Sequence, residues 1–237
     1  MNLANSYWRH LAFLGFDISN SALRSSLSAQ LPRGIEWDDY QGTHYLTLVG
    51  FLPSKTRILG IPLWQAKPSG RLELRLNVKR KKGSGVQRGF LRVTERGKPI
   101  RAFVDIHFEE GGIDGMGRPF SNGVYQYRWA EGQKNYHLTV KTEGLPQPLS
   151  FSPEAQFLMQ RPWIFRRRWA TPLTHKEWFY WDMSETALAL DAEAIWGGSY
   201  AAVMAQSPAL SFLAKGSKVE WGVPRLGYTR FPYRTHP

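Results

Sequence analysis

Between residues 71 and 79 polar and apolar side chains alternate without a break. Leu72, Leu74, Leu76 and Val78 take every second place, with Arg71, Glu73, Arg75, Asn77 and Lys79 between them. A period of two predicts a strand with one apolar and one polar face. Residues 79–85 (KRKKGSG) predict a turn, and residues 86–95 return as a second strand. Leu91 and Val93 continue the apolar face, Arg88 and Arg92 the basic one.

The rest of the chain reads largely in the same idiom. Residues 7–18 are mostly apolar and predict a strand, followed by a short helix over 21–29 and a turn at Pro32-Arg33-Gly34. Residues 44–52 predict a strand stopped by Pro53, and 57–67 a loop whose apolar residues pack onto the body. Pro99 suits the first position of a helix, and Ile100, Phe103, Val104 and Phe108 recur near helical spacing, so a helix is expected there. The glycine-rich residues 110–123 predict a loop. Residues 124–129 and 136–141 predict a second hairpin, 145–153 a proline-rich connector and 154–160 a short helix. Strands are expected at 163–169, 177–182 and 219–223, and a helical turn at 191–196. No internal repeat or heptad pattern is present.

Composition agrees with a β-rich domain. Ten Trp, ten Tyr and thirteen Phe, with 22 Gly and 15 Pro among 237 residues, suit strands joined by many turns. We read residues 1–222 as one domain and 223–237 as an aromatic and basic tail. The absence of cysteine excludes disulfides, thiolate metal sites and a Cys nucleophile, and fits a cytoplasmic location. The first twenty residues lack a basic stretch followed by an apolar one, so no signal peptide is expected. No apolar run approaches the roughly 18–20 residues of a membrane span.

Charge narrows the partners. The net charge is +12, and residues 67–101 alone hold twelve basic and two acidic side chains. Such a field attracts anions: nucleic acid, acidic lipid or a small carboxylate. A solvated basic edge would carry the same charge.

Four segments in order carry a family resemblance. They are Trp8-Arg9-His10-Leu11; Leu48-Val49-Gly50-Phe51 with Thr56-Arg57-Ile58-Leu59-Gly60-Ile61-Pro62; Leu74-Arg75-Leu76-Asn77-Val78-Lys79-Arg80 with Arg88-Gly89; and Phe212-Leu213-Ala214-Lys215-Gly216-Ser217. Together, over residues 5–221, the chain resembles the YqjF-like family of uncharacterised bacterial proteins. That family is similar in fold to acetoacetate decarboxylase. The resemblance implies a mainly β (α+β) fold: a cone-shaped antiparallel β-barrel with a few short outer helices and a central cavity. It does not imply decarboxylation. The decarboxylase uses a Schiff-base lysine in a Gly-Phe-Pro-Lys-Lys segment, an amine kept neutral by burial and a neighbouring cation. The nearest look-alike here is Gly117-Arg118-Pro119-Phe120, with Phe120 at the lysine position. The adjacent Lys81 and Lys82 lie in a glycine-flanked turn, where exposure leaves an amine protonated.

Candidate residues follow. Glu73 and Arg75 share a strand face, with Arg88 and Arg92 expected opposite. Inside a barrel these guanidiniums would bind a carboxylate through charge-assisted hydrogen bonds. Glu73 would be the catalytic acid or base if burial raised its pKa. On a surface the same residues form a ladder of weak ion pairs. Arg9 and Arg118 are further candidate anion contacts; a regular strand turns one of Arg9 and His10 inward. The histidines show no metal-ligand spacing, and no G-x-S-x-G or G-x-G-x-x-G motif occurs. No metal or cofactor is therefore expected. Trp163, Arg166, Arg167, Arg168 and Trp169 mix aromatics with arginines, as single-strand nucleic-acid platforms do. The leading expectation is a barrel that binds a small anionic, carboxylate-type molecule, with non-covalent acid/base chemistry. The alternatives are a non-catalytic sensor on the same fold and a nucleic-acid binder acting through residues 67–101.

Overall fold

The computed structural model describes residues 2–63, 69–95, 98–99, 101–109, 123–131, 133–142, 152–159, 161, 163–168, 171–181, 186–195, 200–222 and 225–226. The elements run β1 (Asn2–Asp17), α1 (Ala22–Ser28), β2 (Glu36–Trp37), β3 (Tyr45–Ile58), β4 (Ile61–Pro62), β5 (Gly70–Lys82) and β6 (Gly85–Arg92). They continue with β7 (Thr94–Glu95), β8 (Lys98–Pro99), β9 (Arg101–Glu109), β10 (Val124–Glu131), β11 (Lys134–Thr142) and α2 (Pro153–Met159). The last are β12 (Trp163–Arg168), β13 (Thr171–Trp181), β14 (Thr186–Ile195), α3 (Ala201–Met204), β15 (Leu210–Gly222) and β16 (Arg225–Leu226). No helix is long and apolar enough to cross a membrane among the described residues.

The fold is mainly β, as expected, but a single closed barrel is not what forms. A 14-stranded, mostly antiparallel sheet runs from β16 to β4, and the pairings β3–β5 and β13–β15 link strands far apart along it. The reason lies in two long strands, each of which divides one edge between two partners. β5 gives residues 70–73 to β9 and residues 75–82 to β6, while β3 lies along its other edge. β15 gives residues 212–214 to β14 and 217–221 to β13, with β1 along its other edge. The sheet therefore branches at β5 and β15.

The strands β1, β3 and β5 form a wall buried on both faces. On one side Leu46, Leu48, Leu72, Leu74, Leu76 and Val78 join the larger apolar core. On the other, Tyr45, Val49 and Phe51 join a second core with Trp8, Leu11 and Phe13, closed by Ala155, Leu158 and Met159 of α2. Burial of Leu and Phe side chains at this scale, about 1.5–3 kcal/mol each, is the main term holding the two sides together.

Several expectations change. Residues 101–109 form β9, not a helix, and 191–195 belong to β14, not a helical turn. Strand β3 runs on through Pro53, which stays paired with Trp8 of β1 while the pairing with β5 stops at Phe51, so at Pro53 the strand has one free edge, a position that tolerates proline. Of the apolar residues after Arg57, those described do not pack onto the body: Ile58, Leu59, Ile61 and Leu63 are exposed around the tight turn into β4, where Leu59 and Gly60 have φ of 49° and 82°, while residues 64–67 lie outside the described residues. The loop expected at 110–123 lies outside the described residues apart from Gly123, as does most of the connector at 145–153. The expected tail contributes β16, which pairs with β13.

Helix α1 begins as its sequence predicts. The Ser21 hydroxyl accepts from the Arg24 amide at 3.3 Å. Ser21→Ala should cost about 1 kcal/mol, read as a lower denaturation midpoint at unchanged slope.

Candidate functional site

The polar face of β5 points into the second core. Glu73 is 4 %, Arg75 2 % and Asn77 1 % exposed, so these side chains are interior and not solvent surface. Register explains their neighbours. Arg75 faces Arg92 across the β5–β6 hairpin, and Thr47 across β3. Two guanidiniums in direct opposition repel. Glu73 resolves this: its Oε2 accepts from Arg75 Nη2 at 2.9 Å and from Arg92 Nε at 2.9 Å. Burial alone would raise the Glu73 carboxyl, but Arg92 and Arg75 outweigh it and hold the pKa at about 2. Glu73 thus stays ionised at neutral pH. The condition for its role as catalytic acid or base, an elevated pKa, is not met. Arg75 also lies 4.0 Å over the Phe90 ring and 5.8 Å from Trp8, which stacks on Phe51.

A second buried ion pair completes the site. Strand β2 pairs with β5, and the Asp38 amide donates to the Asn77 carbonyl at 3.0 Å. That places Asp38, 1 % exposed, beside the polar face. Its Oδ2 accepts from Arg161 Nη1 at 2.8 Å and lies 3.4 Å from Arg88 Nε, while Lys79 Nζ is 3.8 Å from Oδ1. Arg161, 2 % exposed, follows α2 and rests its guanidinium 4.0 Å over Phe157. Burial lowers its pKa to about 10, against the opposing pull of Asp38, so it remains charged. Sequence reasoning missed both residues. Arg161 stands between a short helix and Pro162, with no periodicity to mark it.

Between these groups lies a cavity of about 10 Å³ bounded by Thr47, Arg75, Asn77, Phe90, Leu158 and Arg161, among others. A wider cleft of about 500 Å³ sits on the outer side of β9–β11, lined by Asp105, Gln126, Arg128 and His137. Size favours the cleft and chemistry the cavity. Arg128 is exposed and already donates to Gln126 Oε1. The cavity instead gathers charges withdrawn from water, where a ligand's polar groups gain most.

The remaining candidates separate. Arg92 belongs to the cluster, its side chain 18 % exposed. Arg88 reaches Asp38 from the rim, its side chain 60 % exposed. Arg9 is exposed and does not enter the site. Strand β1 is not regular: His10 has φ of 50° at a register shift, and that bulge turns Arg9 outward while His10 is buried. Arg118 lies outside the described residues. Lys81 and Lys82 are exposed, in accord with the argument against a Schiff base. The basic stretch is not one solvent face either, since Arg75, Arg92 and Lys79 turn toward Glu73, Asp38 and Asp39. Among the described residues no group of three or more His, Asp or Glu could hold a metal ion.

Comparison with known proteins agrees with this architecture. An acetoacetate decarboxylase-like enzyme from Sphingomonas wittichii RW1 superposes with a TM-score of 0.60 at 10 % identity, covering 95 % of this chain and 93 % of that one. The enduracididine biosynthesis enzyme MppR, complexed with pyruvate, superposes with a TM-score of 0.54 at 12 % identity, covering 95 % and 91 %. At these identities the likeness is one of fold. No curated protein matches the sequence. The model of DUF2071, described as an uncharacterized conserved protein, matches residues 5–218, and the chain belongs to that YqjF-like family.

Proposed function

We propose that this protein binds a small carboxylate-bearing organic molecule in the interior lined by the polar face of β5. One observation carries the reading: three buried or largely buried guanidiniums, of Arg75, Arg92 and Arg161, converge where, among the described residues, two buried carboxylates, Glu73 and Asp38, lie against them. A buried cationic excess is costly alone and favours an anionic guest. The pyruvate bound in the MppR structure belongs to the same ligand class. Glu73 serves here as an anchor that orients Arg75 and Arg92. Any chemistry on the guest would be electrostatic and non-covalent, without a Schiff-base lysine.

A thermal-shift series tests this. Short keto and hydroxy acids should raise the melting temperature at physiological salt, and their amides should not. Glu73→Gln, if it keeps the fold, should weaken that response. An oligonucleotide should have no effect once salt screens the exposed Lys81, Lys82 and Arg88. The proposal fails if no carboxylate stabilises the protein, or if only the oligonucleotide does. Following the concentration of a stabilising acid over time then separates an enzyme, which consumes it, from a sensor.

A further inference from the structure

Building on that carboxylate reading, we infer that the seat of the anion is the Nε–Nη2 edge of Arg161, with Asn77 Nδ2 as a third donor. The bonds of Arg161 are unevenly shared. Its Nη1 donates to Asp38 Oδ2 at 2.8 Å and to the Gly89 carbonyl at 3.2 Å. Its Nε and Nη2 are buried and have no hydrogen-bond partner among the described residues. Those two N–H groups form one side of the guanidinium fork, the geometry that grips a carboxylate in two parallel bonds. Asn77 is in the same condition. Its Oδ1 lies 3.5 Å from the Thr47 hydroxyl, while Nδ2 is buried without a partner among the described residues. Both residues line the same cavity. Arg75 and Arg92 are by contrast committed to Glu73.

Unmet buried donors invite a water or an anion, and the local charge decides between them. Asp38 is the carboxylate on Arg161, and Arg88 and Lys79 approach it as well, at 3.4 and 3.8 Å. Lys79 is shared with Asp39 at 3.5 Å, so two negative charges face three positive ones, an excess of one. A water would fill the bonds and leave that excess; a carboxylate answers both. Size is set by α2. At about 10 Å³ the cavity holds roughly one water, and Leu158 and Met159 form its wall. The seat therefore accepts a carboxylate as that wall yields, the smallest acids first.

Calorimetry with formate and acetate, each against its amide, tests the seat in the wild type, Arg161→Lys, Leu158→Ala and Asn77→Asp. Lysine keeps the charge and removes the fork, so Arg161→Lys should lose at least ten-fold in affinity. Leu158→Ala should bind acetate more tightly relative to formate. Asn77→Asp supplies a tethered carboxylate; it should abolish binding of both acids while raising the melting temperature, which keeps the question open to test should Arg161→Lys not fold. Wild-type binding that persists unchanged in Arg161→Lys or Asn77→Asp overturns the seat but leaves the carboxylate reading standing. Absence of binding in both the wild type and Leu158→Ala overturns both.

Discussion

Replacing Glu73 by alanine is expected to cost about 3–5 kcal/mol of folding stability, measured by urea denaturation. The cost is not that of one lost ion pair. Arg75 and Arg92 are cross-strand neighbours, and without Glu73 Oε2 two guanidiniums face each other with no carboxylate between them, one of them 2 % exposed. Glu73→Gln should cost less, because an amide oxygen still accepts a hydrogen bond. The same carboxylate gives stability an acid limb. Its pKa falls from the ordinary 4.5 to about 2 on folding, so the unfolded chain binds the proton more readily. The contribution is complete above about pH 4.5 and is lost as pH falls toward 2. Denaturation midpoints should decline over that interval in the wild type and less steeply in Glu73→Gln. Equal slopes would show that Glu73 is not held ionised by its arginines.

Gly89→Ala should be nearly as damaging, for a steric reason. Strand β6 lies parallel to β12 at this point, with Gly89 opposite Trp163. A Cβ on Gly89 would collide with the Trp163 carbonyl oxygen and sit 2.8 Å from Phe165 Cε2. The first of these atoms is backbone, so relief requires moving a strand, at about 3 kcal/mol or more. The Gly89 carbonyl also accepts from Arg161, so carboxylate affinity should fall with stability. Gly85→Ala is the control. Its new Cβ would meet nothing nearer than the Lys82 carbonyl at 3.7 Å, and its midpoint should hardly move.

The two hairpins and helices α1 and α2 were legible because their signals are local: strict alternation, turn residues and short runs between them. Residues 101–109 and 191–195 misled for an equally local reason. Ile100, Phe103, Val104 and Phe108 fall near helical spacing, but Ala102, Val104 and Ile106 also fit a period of two, and pairing with β5 and β10 decides for the strand. The alternation in β5 was plain from sequence, whereas the fate of its polar face was not. What covers that face comes from Asp38, from α2 and from Arg161, the last more than eighty residues downstream. Periodicity cannot report a partner so remote. The outward turn of Arg9 was hidden too, since a bulge at His10 leaves no mark on the pattern of residue types.

A strand buried on both faces loses the usual safeguard against mispairing. In an ordinary half-exposed strand, a slip of one residue throws the apolar side chains into water. Here, if β5 slipped by one against β3, Leu72, Leu74 and Leu76 would not reach water but would enter the second core, beside Val49 and Phe51. What forbids the slip is the other face. It would drive Glu73, Arg75 and Asn77 among Leu46, Leu48 and Tyr127, with neither Arg92 nor Asp38 to meet them. The buried charges thus act as a key that fits one alignment of the wall.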